Sequence, residues 1–313
     1  MKVTALAGGI GAGKFLRGLV RVVDGADVTA IVNTADDVRM HGLHVSPDLD
    51  SVTYWLGDVF DRERGWGRRG ETFRATEELR RFAPEAAWFN LGDLDLATHL
   101  FRTRRLEEGA TLTQVTAEVA GRFEVASRLL PMSDDPVTTR VEVLVEGRVL
   151  DLHFQEYWVR RHAQDEVKQV RYAGADSARP APGVLEAVRA ADVVVICPSN
   201  PVASIGPILA VPGIRDAIAA RRERVVGVSG IVGGAPLAGM ADRLMPSMGV
   251  EVSAAGAAAC YREILGAWVI DEVDRGQREA IAATGVAIGV TDTIMTDDDA
   301  AESLARVALE LVS

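Results

Sequence analysis

Residues 1–37 read MKVTALAGGIGAGKFLRGLVRVVDGADVTAIVNTADD. Val3 to Ala7 is a short apolar run closed by Gly8-Gly9, Phe15 to Val23 places apolar residues at helical spacing, and Val28 to Val32 is a second apolar run. A glycine-bounded apolar run, a helical period and a second such run spell a β-α-β unit with parallel strands. Val193 to Cys197, Val225 to Val228 and Trp268 to Ile270 repeat the strand signal, with helical periods at Val184 to Ala191 and Ile214 to Ala220 between them. The expected class is therefore α/β, a Rossmann-like doubly wound and mostly parallel sheet.

The middle of the chain has a different pattern. Residues 71–122 are rich in Glu, Arg, Leu and Ala at helical spacing, and Val141 to Val145 turns at Glu146-Gly147 into Val149 to Phe154. A helical and hairpin insertion on the sheet is expected there. Gly174 to Gly183, with Pro180 and Pro182, reads as the linker back. The implied division is a nucleotide-binding core of residues 1–70 and 175–313, with residues 71–174 inserted.

Composition narrows the function. The 313 residues are 48% hydrophobic and 25% charged, enough to build a full core. With 34 Lys and Arg against 45 Asp and Glu, the net charge of −11 excludes a general grip on nucleic acid, which depends on a positive surface. Cys197 and Cys260 form no CxxC pair, and the first apolar run is too short for a signal peptide or membrane span. A cytoplasmic protein bound to no membrane is the expectation.

The candidate site residues follow strands. Gly8, Gly9, Gly11, Gly13 and Lys14 stand between the first strand and first helix, where small residues let backbone N–H groups approach a phosphate. Phe15 takes the place of the Ser or Thr that would hold magnesium in a nucleoside triphosphatase, and the GxGxxG dinucleotide pattern fails. Asn33 to Asp37 closes the second strand, the edge at which open α/β sheets bind ligands. Asp48 and Asp50, in SPDLD, can bind a hard cation or accept a hydrogen bond from a hydroxyl, and they equally suit the first turn of a Pro-started helix. Pro198-Ser199-Asn200-Pro201, leading through Ser204 to Gly206, lies at another strand's carboxyl edge. His41 and His44 lack the further ligands of a zinc site. These features converge on a magnesium-aided enzyme for a phosphorylated or nucleotide-bearing ligand.

Nine stretches, in order along the chain, carry a resemblance: GGIGAGKF, VNTADD, SPDLDSVTY, LGDLDLATHL, LPMSDDPVTT, HFQEYWV, PSNPVASIGPIL, LMPSMGVEVSA and DTIMT. On these the chain resembles the 2-phospho-L-lactate transferase family of coenzyme F-420 biosynthesis, including its phosphoenolpyruvate-transferring branch. The resemblance implies transfer of a phospholactyl or phosphoenolpyruvyl group from a guanosine diphosphate-linked donor to the ribityl hydroxyl of the deazaflavin Fo (7,8-didemethyl-8-hydroxy-5-deazariboflavin). GMP is released, and Mg2+ is required. It implies Asp50 as the contact to Fo and candidate catalytic group, with Asn90 and Asp93 beside Fo. Asn90 stands where family members often carry lysine.

Donor binding is expected at Gly8, Gly9, Gly11, Gly13, Lys14, Ser199, Asn200, Ser204 and Gly206. Metal binding is expected among Asp36, Asp37, Asp48 and Asp50. Asp50→Asn is expected to lower turnover and spare the fold. A homodimer is implied by the family and by apolar stretches such as Ala254 to Ala259. The competing expectation is a non-catalytic regulator that binds a nucleotide sugar on the same core.

Overall fold

The computed structural model describes residues 1–86 and 88–312. In chain order the elements begin with β1 (Val3–Ala7), α1 (Ile10–Val22), β2 (Val28–Val32), the ribbon β3 (Val38–Met40) and β4 (Leu43–Val45), and α2 (Pro47–Leu56). Three helices follow, α3 (Arg74–Phe82), α4 (Asp93–Glu107) and α5 (Leu112–Arg122), and then β5 (Arg128–Pro131). The antiparallel strands β6 (Thr138–Val145), β7 (Arg148–His153) and β8 (Glu166–Ala173) come next. The last third holds α6 (Val184–Ala190), β9 (Val193–Ile196), α7 (Gly206–Ala210), α8 (Ile214–Ala219), β10 (Val225–Val228) and the two-residue strands β11 (Ile231–Val232) and β12 (Ala235–Pro236). It ends with α9 (Ala241–Leu244), α10 (Ala254–Ala259), β13 (Ala267–Asp271), α11 (Arg278–Ala282), β14 (Ala287–Thr291) and α12 (Asp298–Glu310).

Seven strands form one parallel sheet in the order β14-β13-β10-β9-β1-β2-β5. The period of two along each strand sends alternate side chains to opposite faces. Val3, Ala5 and Ala7 pack with Ala12, Phe15, Leu16 and Leu19 of α1 and with Leu304, Ala305 and Ala308 of α12, whereas Leu6, Ile31 and Leu130 join the other face. There they meet Val184 and Val188 of α6 and the inner side of the antiparallel sheet, Val141, Val143 and Val170. The doubly wound expectation holds. Gly18 lets α1 and α12 cross closely, since a Cβ there would run into the backbone of Ala301.

Three details differ from the sequence reading. Helix α1 begins at Ile10, so Gly11 to Lys14 are helical and the turn is only Gly8-Gly9. Strand β5 lies inside residues 71–174 yet pairs with β2 at the sheet edge. That span is therefore not one insertion: it supplies three helices, an edge strand and the antiparallel sheet. The hairpin turn is as expected, with φ of 49° at Glu146 and 77° at Gly147, and β8 adds a third strand on the far side of β6. Among the described residues no helix is long and apolar enough to cross a membrane.

Candidate functional site

The chain leaves β1 toward β2 and β5 on one side and returns through β9 to β14 on the other, so the strand order reverses between β1 and β9. Such a reversal opens a crevice at the carboxyl ends of the strands. A cavity of about 1000 Å³ occupies it. Its rim is built by the turns after β1 and β9, which pass so closely that only glycine fits. A Cβ on Gly8 would meet Ser204, and one on Gly11 would meet the Pro198 carbonyl. The Gly8 N–H donates to Ser199 Oγ at 3.3 Å.

Gly9 caps α1 without a side chain, leaving the first-turn amides of that helix unclaimed by any side-chain cap. Unclaimed amides at a helix N-terminus favour an anion. Lys14, one turn in, lines the cavity, and it is the one Lys or Arg among the described lining residues. Ser199, Asn200 and Ser204 line it as well. Asn200 Oδ1 accepts from the N–H groups of Val202 and Ala203, which fixes the turn after β9. Gly8, Gly13 and Gly206 are not in the lining; Gly13 receives Trp55 of α2 and Gly206 receives Tyr172.

The four expected metal-binding carboxylates separate into three environments. Asp36 and Asp48 line the cavity near Asn33, whose Nδ2 donates to Asp48 Oδ2 at 2.9 Å. Burial and then the charge of Asp48 push Asp36 well above the usual carboxylate range, and Asp36 Oδ1 has no partner among the described residues. Burial pushes Asp48 up to about 7. Asp37 lies off the lining, accepting from His44 Nε2 at 2.9 Å and Ser46 Oγ at 2.7 Å.

Asp50 lines the cavity but is 5% exposed, with both oxygens held by Arg102 of α4: Nη1 donates to Oδ2 at 3.1 Å and Nη2 to Oδ1. The expectation that Asp50→Asn would spare the fold is therefore corrected, because the substitution strands a buried guanidinium. Among the described residues no three His, Cys, Asp or Glu side chains come together as a metal-holding group.

Helix α2 carries the site from one end to the other. Asp48 sits beside Gly9 in its first turn, and Tyr54 on the next turn but one donates to Asp95 Oδ1 at 2.6 Å. Asp95, His99 and Arg102 follow one face of α4, at i, i+4 and i+7, all buried. Glu71 seats this helix: its two carboxylate oxygens accept from the N–H groups of Leu94 and Asp95, both at 2.7 Å. Gly92 leaves room for that carboxylate. Burial raises Asp95 to about 7, and the nearby charge of Asp50 adds to the shift. At this end the lining includes Trp66, next to Gly67 and Asp95, and Phe89, which clusters with Leu91 and Leu96; Phe154 and Trp158 line the cavity as well.

Asn90 lines the cavity and accepts from Arg80 Nη2 at 2.6 Å. Asp93 does not line it. Its carboxylate caps α3, accepting from the N–H groups of Arg74 and Ala75, and the Thr72 hydroxyl holds it below the usual range. Sequence reasoning placed the strand-end residues and missed Asp95, His99, Arg102 and the aromatic wall. The usable signal was the stripe of ionisable residues on α4, spaced for a single face.

A model of 2-phospho-L-lactate transferase CofD matches residues 3–306. The chain is 50% identical over 312 residues to a phosphoenolpyruvate transferase of Streptomyces griseus subsp. griseus, covering 99% of this chain and 98% of that one. It is 41% identical over 327 residues to the phosphoenolpyruvate transferase of Mycolicibacterium smegmatis, again covering 99% and 98%. Among solved structures, a upf0052 family protein of Bacillus halodurans superposes with a TM-score of 0.64 at 19% identity, covering 98% of each chain, which is a likeness of fold. With the family model spanning nearly the whole sequence and the relatives matching end to end, the chain belongs to the 2-phospho-L-lactate transferase CofD family.

Proposed function

We propose that the protein transfers a phosphoenolpyruvyl or phospholactyl group from a guanosine diphosphate-linked donor to the terminal ribityl hydroxyl of the deazaflavin Fo, in coenzyme F-420 biosynthesis. The observation that carries this reading is one cavity with two chemically different ends. The end at Gly9, Lys14 and Ser199 suits a diphosphate, and the end at Trp66 and Phe89 suits a fused aromatic ring. The enolpyruvyl group is favoured by the name shared by the full-length relatives.

In the proposed step the ribityl oxygen bonds to the phosphorus that bears the three-carbon acid. The bridging P–O bond of the diphosphate breaks, and GMP leaves with its electron pair. Asp50, although paired with Arg102, keeps lone pairs for a hydrogen bond from the attacking hydroxyl. Charge on the nucleophile develops late in a loose phosphoryl-transfer transition state, so a weak base at that position suffices to take the proton. Asn90, a neutral amide where family members often carry lysine, hydrogen-bonds the acceptor without changing its charge.

Magnesium fits the Asp36 and Asp48 pair. Two buried carboxylates, Asp36 raised by the charge of Asp48 and carrying an oxygen without a partner among the described residues, suit a small hard cation that completes its shell with water and phosphate oxygens. When bound there it would offset charge on the diphosphate, which Lys14 alone does not match.

Purified protein incubated with Fo, Mg2+ and each guanylated donor in turn is expected to give a deazaflavin phosphodiester and GMP, read by mass spectrometry. Product from neither donor would overturn the proposal.

A further inference from the structure

His99 is 2% exposed, lines the cavity, and has one nitrogen, Nε2, without a partner among the described residues. Its other nitrogen, Nδ1, lies 3.2 Å from Arg102 Nη1. A guanidinium has donors only, so Nδ1 carries the lone pair and the proton of the neutral ring sits on Nε2. Arg102 has no freedom to withdraw, being tied to both oxygens of Asp50 and to the His44 carbonyl. Asp50 Oδ2 is 3.6 Å from Nδ1, too far to draw a proton onto that nitrogen. The result is a fixed N–H donor in the wall of the cavity.

One turn earlier on the same face, Asp95 also lines the cavity. Its Oδ1 is taken by the Tyr54 hydroxyl, and its Oδ2 lies beside Gly67, next to Trp66 of the aromatic wall. A donor and an acceptor at i and i+4 match a ring carbonyl and its neighbouring ring N–H, the lactam edge of a heterocycle. We propose that His99 and Asp95 read the lactam edge of the deazaflavin, His99 Nε2–H donating to a ring carbonyl and the Asp95 carboxyl accepting from the adjacent ring N–H. This rests on the function proposed above and makes both residues determinants of acceptor specificity, with Arg102 as the positioning residue for His99. Guanine carries a lactam edge too, so the test has two arms.

Fo and, separately, guanosine diphosphate with Mg2+ are titrated against the wild type, His99→Leu and His99→Gln. His99→Leu is expected to weaken Fo binding about 10-fold or more, the scale of a lost buried hydrogen bond, with guanosine diphosphate affinity unchanged. His99→Gln, which offers an N–H at similar reach, restores most of the Fo affinity. For both variants the change appears in the KM for Fo more than in kcat. Unchanged Fo affinity in His99→Leu would overturn the inference, and a loss confined to guanosine diphosphate would overturn the assignment to the deazaflavin. A wild type that binds no Fo would instead overturn the proposed function. Nitrogen NMR of the free protein supplies a check that needs no variant: a proton on Nδ1 of His99 contradicts the inference.

Discussion

At the scale of single residues, the buried pair of Asp50 and Arg102 turns a presumed reactive group into a structural one as well. Asp50→Asn leaves a guanidinium in the interior without its counter-charge, a loss of about 3–5 kcal/mol that a fall in urea midpoint would register. Adding Arg102→Gln removes the stranded charge, and the double variant is expected to regain part of that stability. Asp95 gives a pH test. Its folded-state value, about 7, lies above the 3.8 of an unperturbed carboxyl. The folded chain thus holds a proton that the unfolded chain gives up. The stability this confers is full below about pH 3.8 and is lost as pH rises through 7, on the order of 4 kcal/mol in all. Asp95→Asn escapes that loss, so its urea midpoint relative to wild type should be further ahead at pH 8.5 than at pH 5. A gap that narrows with rising pH contradicts the assignment. The sequence showed Asp36, Asp48 and Asp50 because each follows a strand or opens a helix. It did not show the partners of Asp50, because Arg102 and His99 sit in a helix whose many arginines read as solvated surface.

At the scale of elements, α4 is the part of the site that sequence patterning described least well. Its inward stripe is polar, so apolar periodicity, the usual sign of a buried face, is absent. Glu71 holds its first turn from a distant loop. Glu71→Ala should cost about 1–2 kcal/mol in thermal or denaturant unfolding, as for the loss of a helix cap, and should weaken Fo binding while sparing guanosine diphosphate. Equal weakening of both ligands would show that α4 does not belong to one end of the cavity. Other elements were read from the sequence to different degrees. Strands β1, β2, β9 and β10 were plain, since strands buried on both faces are continuous apolar runs. Strand β5 is short and ends in Pro131, and β8 alternates poorly because it carries an extra residue, Lys168, between Val167 and Gln169, which pair with the consecutive Val143 and Glu142 of β6. The start of α1 was hidden by its own glycines, weak helix formers that are kept for close packing against Pro198 and Trp55.

At the scale of the whole molecule, the net charge of −11 and the scarcity of cations in the cavity point the same way. Guanosine diphosphate and Mg2+ together should raise the melting temperature more than either alone, since a ligand at about 100 times its Kd adds about 2.7 kcal/mol to the folded state. In Asp48→Asn the increment due to Mg2+ should disappear; its survival would move the metal elsewhere. The parallel sheet has one more consequence, for the order in which the chain is made. Strand β1 is central, and the neighbour on one of its sides is β9, with Lys2 N–H bonded to the carboxylate of Asp192, 190 residues further on. At about 5–20 residues per second, roughly 10 to 40 s of synthesis separate the two. Through that interval the first strand emerges with one edge unpaired. The nascent chain therefore passes through a stage in which one edge of a core strand is exposed, and the ligand crevice forms only after more than half of the protein has left the ribosome.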